Sequence, residues 1–138
     1  MFPQNDVRIS PMAEWGCYFC SVLAMDEAES GIPWTPKEVI KLWSKNAGEG
    51  DIDYEATVLN PQGLCNDLKA GLTFVGKMGP DYRCKPDERE ILYFLNGSMG
   101  HFVLGDGQGK VKWDPYPNSL TVRDGKLVGK RIYRVKKK

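Results

Sequence analysis

Gly100-His101-Phe102-Val103-Leu104-Gly105-Asp106-Gly107-Gln108-Gly109-Lys110-Val111-Lys112-Trp113-Asp114 is the stretch that decides how this chain folds. Two runs with apolar residues flank a glycine-rich centre, and glycine supplies the positive φ that a tight hairpin turn requires. The stretch predicts an antiparallel β-hairpin centred on Gly107-Gln108, and pairing about that centre puts Asp114 near the level of His101. Gly105 to Lys110 has a superficial likeness to a phosphate-binding loop. It precedes no helix, and no Ser or Thr follows Lys110, so it reads as a turn.

Working outward, Leu72 to Gly76 looks like a strand. Pro86 to Glu90 is expected to make a helical turn, leading into Ile91 to Leu95, an apolar run whose period does not choose between helix and strand. Downstream, Ser119 to Val122 and Lys130 to Val135 are expected strands joined around Asp124-Gly125. The N-terminal half has a helical period. Cys20, Leu23, Ala24 and Ala28 fall on one stripe of a helix expected from Cys17 to about Ser30, where Gly31-Ile32-Pro33 stops it. Thr35-Pro36-Lys37-Glu38 opens a second helix with an N-cap, a first-position proline and a capping box. Val39, Ile40, Leu42 and Trp43 give its apolar face, which fades near Asn46-Ala47-Gly48. A short third helix starts at Asn60-Pro61 with Leu64, Cys65 and Leu68 facing inward. Helices first and an antiparallel sheet second spell α+β. The expectation is one domain over 1–138, with a helical half at about 12–70 and a sheet half at about 72–135.

The chain has 138 residues and nearly balanced charge, 19 basic against 18 acidic, for a formal net charge of +1. A nucleic-acid binder would carry a basic excess on one face. The one basic block, Arg134 to Lys138, reads as a solvated tail. No apolar run reaches the roughly 20 residues that span a bilayer, and Met1 to Asp6 lacks the pattern of a signal peptide. The expectations are a cytoplasmic monomer with reduced thiols, no membrane and no nucleic-acid partner. Release by lysis or by a secretion machine would leave no trace in these residues.

The chemistry gathers at Trp15-Gly16-Cys17-Tyr18-Phe19-Cys20-Ser21. A cysteine in the first turn of a helix meets unpaired N–H groups that favour its thiolate and can later hold an oxyanion. Gly16 allows a sharp turn and close approach of a substrate backbone. A buried structural cysteine would occupy the same place. The single histidine, His101, supplies the base that a thiol nucleophile needs. Asp114 supplies the acceptor that orients a base through its other nitrogen. Trp15, Tyr18 and Trp113, with Gly16 and Gly100, are the candidate walls of a cleft.

Gly16-Cys17 with Ser21 four places on, then Leu23-Ala24-Met25, resembles the nucleophile helix of the bacteriocin-leader-processing peptidases and their papain-like relatives. Gly100-His101-Phe102-Val103 followed by Asp114-Pro115 is similar to their His and Asp-Pro segments. Gln4-Asn5-Asp6-Val7-Arg8 resembles the Gln-x-Asp-x-Arg upstream of their cysteine. The resemblance implies a papain-like fold, a Cys17–His101–Asp114 triad with Gln4 as oxyanion donor, and cleavage of a peptide or amide bond through an acyl-enzyme without cofactor or metal. The substrates it implies are protein or cell-wall peptides. A bacterial or phage origin would suit so compact a domain. Ile32 to about Lys85 takes no part in the resemblance.

Rival readings attach to the same residues. Cys17-x-x-Cys20 matches a redox motif, but no strand precedes it, and half a zinc site, but no second close pair follows. Classical papains carry a cysteine three residues before the nucleophile, which would favour Cys20. Helical phase sets Cys20 into the core and Cys17 at the helix mouth, and Gly16 and Ser21 select Cys17. Cys65 and Cys84 read as buried thiols, with a bond between them left open. Asp51 to Glu55 reads as a solvated loop, a candidate lid. The competing function is a catalytically inactive papain-like module that holds a peptide.

Overall fold

The computed structural model describes residues 17–48, 61–97, 99–114 and 120–135. The elements run α1 (Cys17–Ser30), α2 (Pro36–Gly48), α3 (Pro61–Cys65), β1 (Thr73–Met78), β2 (Glu88–Asn96), β3 (Met99–Gly105), β4 (Val111–Trp113), α4 (Leu120–Asp124) and β5 (Lys126–Arg134). The fold is α+β: helices lead, and the strands form one five-stranded antiparallel sheet in the order β1-β5-β2-β3-β4.

The helix boundaries follow from local chemistry. Gly31, at φ 71°, takes the left-handed conformation that ends α1, and its N–H bonds the Glu27 carbonyl at 2.9 Å. At the head of α2 the Thr35 hydroxyl accepts from the Glu38 N–H, and the Glu38 carboxylate accepts from the Thr35 N–H, each at 3.2 Å. Those bonds, with the Lys69 ammonium behind them, hold the Glu38 carboxyl below its ordinary range.

Residues 18–26 of α1 are all buried, so this helix is enclosed on nearly every side rather than along one stripe. Cys20, Leu23 and Ala24 are buried as expected, whereas Ala28 is exposed because α1 emerges from the core in its last turn. The buried Asp26 carboxylate accepts from the Trp34 indole at 2.9 Å, from the Ala70 N–H at 2.8 Å and from the Lys69 N–H at 3.0 Å. One side chain thus anchors the segment after α3 and the approach to α2. Val39 and Leu42 of α2, and Leu64 and Cys65 of α3, complete the core, and Leu68 packs against it.

Strand alternation divides the sheet into two faces. Ile91, Phe102, Leu104, Phe74 and Tyr133, with Trp113, pack with the helical core. The alternating residues Glu90, Leu92, His101, Val103, Lys130 and Ile132 are buried and lie outside that cluster. α4 packs against β2, β3 and β5.

Three expectations change, and the open reading of Ile91 to Leu95 is resolved. Pro86 to Glu90 makes only a turn, with the Glu88 N–H on the Lys85 carbonyl at 2.9 Å, and β2 begins at Glu88. The run Ile91 to Leu95 is a strand, paired on both sides by β3 and β5. Ser119 to Val122, expected as a strand, overlaps a short helix, because so short an apolar run carries no period of its own and its neighbours decide it. The last strand starts earlier than expected, at Lys126.

Candidate active site

β3 delivers His101 and the residue after β4 delivers Asp114. His101 Nε2 and Asp114 Oδ1 are 2.6 Å apart, and the side chains are 8% and 13% exposed. The pair forms although the hairpin register differs from a symmetric turn. Leu104 faces Trp113 and Gly105 faces Val111, with an irregularity between them, so His101 and Asp114 meet diagonally. Trp113 turns toward the helical core, so alternation sends Asp114 to the face that His101 occupies.

The pairing of β3 with β4 stops at Leu104 and Trp113. Beyond that point the Ser21 hydroxyl of α1 donates to the Phe102 carbonyl at 3.2 Å. This bond ties α1 to the strand position next to His101. Cys17 is the first residue of α1 and precedes Ser21 by four residues, one helical turn. Cys20 is wholly buried in the core, as helical phase predicts.

The expected cleft residues separate. Tyr18 is 8% exposed and belongs to the core: its hydroxyl bonds Tyr133, its ring meets Phe102 edge-on at 4.8 Å, and burial pushes its phenol up. It is a packing residue, placed inward by the helix turn that follows Cys17, and it does not wall an open cleft. Trp113 is half-buried against the same core. Gly100 is exposed but tightly neighboured, since a Cβ there would lie 2.4 Å from the Tyr93 hydroxyl and 2.9 Å from its ring. Tyr93 in turn stacks on Phe102 at 4.4 Å. Gln4, Trp15, Gly16 and the candidate lid Asp51 to Glu55 lie outside the described residues.

A second polar centre, unforeseen from the sequence, sits at the turn end of the hairpin. The Glu90 and Lys130 side chains are 0% and 2% exposed and pair at 2.8 Å. Lys130 also donates to the Tyr82 carbonyl at 2.7 Å, and Glu90 Oε2 accepts from the N–H groups of Gly107 and Gly109 at 3.1 and 2.9 Å. Asp106 Oδ1 accepts from Gln108 and Lys110. The glycine-rich turn therefore binds the protein's own carboxylates, and positive φ at Gly107 and Gly109 aims its amides at them. In the sequence, Glu90 follows Glu88-Arg89 and looks like a surface charge. The signal available was its place two residues before Leu92 on the same strand face.

Burial, with Glu90 second, pushes the Cys84 thiol up to about 12, and burial with Asp26 does the same for Cys65. Both are thiols and are not bonded to each other. Among the described residues no helix is long and apolar enough to cross a membrane.

An α+β domain with a buried imidazole–carboxylate pair on one hairpin is the class that fold and site define. The chain belongs to the family described as "Protein of unknown function, DUF261", whose model matches residues 1–135. Neither the curated proteins nor the solved structures contain a match to it.

Proposed function

We propose that this protein is a papain-like cysteine hydrolase that cleaves a peptide or amide bond with Cys17 as nucleophile, His101 as base and Asp114 as the orienting acceptor. The observation that carries the reading is the part-buried His101–Asp114 pair, 2.6 Å apart, with His101 on a strand bonded at its next residue to the helix that Cys17 opens.

With Asp114 accepting from Nε2–H, the imidazole is held in the tautomer whose basic atom is Nδ1. His101 takes the thiol proton, and the thiolate, favoured by the N–H groups of the first helical turn, attacks the carbonyl carbon. The Cys17 N–H, with Gln4, stabilises the oxyanion. His101 then gives its proton to the leaving amine, and water, deprotonated by His101, hydrolyses the thioester. The substrate class is a protein or cell-wall peptide.

The test is incubation of the protein with a defined peptide mixture and with soluble cell-wall peptides, read by mass spectrometry beside Cys17→Ala and His101→Ala. The expected result is new termini, or an acyl adduct on Cys17, with wild type only. Cleavage that survives in Cys17→Ala, or wild type that yields neither product nor adduct, overturns the reading and leaves the peptide-holding module.

A further inference from the structure

The hairpin's turn end borders a cleft of about 340 Å³ between the segment entering β2 and the β3–β4 turn, lined by Cys84 to Pro86, Glu88, Arg89, Gly105 to Gln108 and Lys112. Gly105 lies four positions beyond His101 on β3, about 13 Å at strand rise, so this is not the site described above.

Its charges fall into two sets. The Arg89 guanidinium is committed to Glu29 and to the Pro86 and Glu88 carbonyls. Lys85 and Lys112 line the cleft and form no salt bridge among the described residues, although the Lys85 charge acts on Glu88 from a distance. Against them stand two fixed carboxylates. Glu88 Oε1 accepts from the Lys85 N–H at 2.9 Å and the Tyr82 hydroxyl at 2.7 Å. Asp106 Oδ1 accepts from the Gln108 N–H at 2.7 Å and the Lys110 N–H at 3.1 Å. These bonds keep both groups ionised and leave Glu88 Oε2 and Asp106 Oδ2 outside them. The turn amides are already committed to Glu90 and Asp106, so no N–H cradle remains for a phosphate, and the fixed negative charges oppose a dianion.

We propose that this cleft binds a small zwitterion of amino-acid to dipeptide size, its carboxylate held by Lys85 and Lys112 and its ammonium by Glu88 and Asp106. The volume suits such a ligand, and one carrying both charges satisfies both sets at once. The proposal is independent of chemistry at Cys17.

The experiment is an amide-resolved NMR titration of the full chain at constant ionic strength with glycylglycine, inorganic phosphate and acetate as separate probes. The expected result is saturable shifts with glycylglycine, centred on Lys85, Gly107, Gln108 and Lys112, and weaker or no saturation with the other two. Lys85→Met and Lys112→Met should each weaken glycylglycine about tenfold, as loss of one charged hydrogen bond would, with the remaining spectrum unchanged. Phosphate or acetate binding as tightly as glycylglycine would make this a plain anion site and overturn the proposal. Absence of saturation with glycylglycine, or affinity untouched by both variants, would overturn it as well.

Discussion

The two ends of the β3–β4 hairpin each bury a carboxylate, and they use it differently. At the turn end Glu90 is fully enclosed and meets an ammonium and two backbone N–H groups. At the open end Asp114 keeps some exposure and meets the one histidine. A buried charge that is fully paired has little chemistry left, and its removal leaves an uncompensated partner. A carboxylate spent on an imidazole near the surface sets that ring's tautomer and leaves it a proton to exchange. The difference separates a bolt from a candidate catalytic pair within one supersecondary unit.

The largest effect should come from drawing the bolt. Glu90→Ala strands Lys130 and should cost about 3–5 kcal/mol of unfolding free energy, read from urea midpoints. Asp114→Ala should cost clearly less, and equal losses would erase the comparison. Gly105→Ala comes next. Its Cβ would lie 2.6 Å from the Glu90 side chain and 2.9 Å from Leu92, so overpacking should cost about 1–3 kcal/mol. Gly100→Ala, by contrast, meets the far end of Tyr93. Gly100 is exposed and its neighbour is outside the buried Glu90–Lys130 pair, so stability should fall less, read from urea midpoints, while the His101 imidazole resonances move by NMR.

A smaller effect sharpens the contrast by pH. Cys65 and Cys84 are both raised to about 12 in the fold, above the 9.0 of an unburied thiol. Well below pH 9 both stay protonated in either state. Between about 9 and about 12 the unfolded chain loses these protons first, so stability should fall as pH rises through that window. Urea midpoints at pH 8 and pH 10.5 in wild type and in the Cys65→Ala, Cys84→Ala double variant check this, the variant showing the shallower fall.

What the sequence made legible follows from where local chemistry decides. The capping box at Thr35 and Glu38 and the stop at Gly31 announce α1 and α2 almost to the residue. Glycines mark the hairpin, and His101 and Asp114 on its two arms do meet. The register was hidden, because an irregularity between Leu104 and Gly105 leaves no mark in residue type. The Glu90–Lys130 pair was hidden because buried and exposed charges look alike until partners 40 residues apart are brought together. Tyr18 adjoins Cys17 in the sequence and so reads as a cleft wall, yet one residue turns an α-helix by about 100°, and Tyr18 lies in the core.

The most direct test of the central claim is the second-order rate of Cys17 alkylation by iodoacetamide as a function of pH, followed by peptide mass mapping, in wild type, His101→Ala and Asp114→Asn. Cys17 should titrate well below the ~8.5 of a free thiol and react far faster at pH 7 than Cys20, Cys65 and Cys84. Both variants should lose at least about tenfold of that rate, the scale on which a paired base sets thiolate population. A Cys17 no faster than its three neighbours, or one indifferent to His101, would contradict that claim.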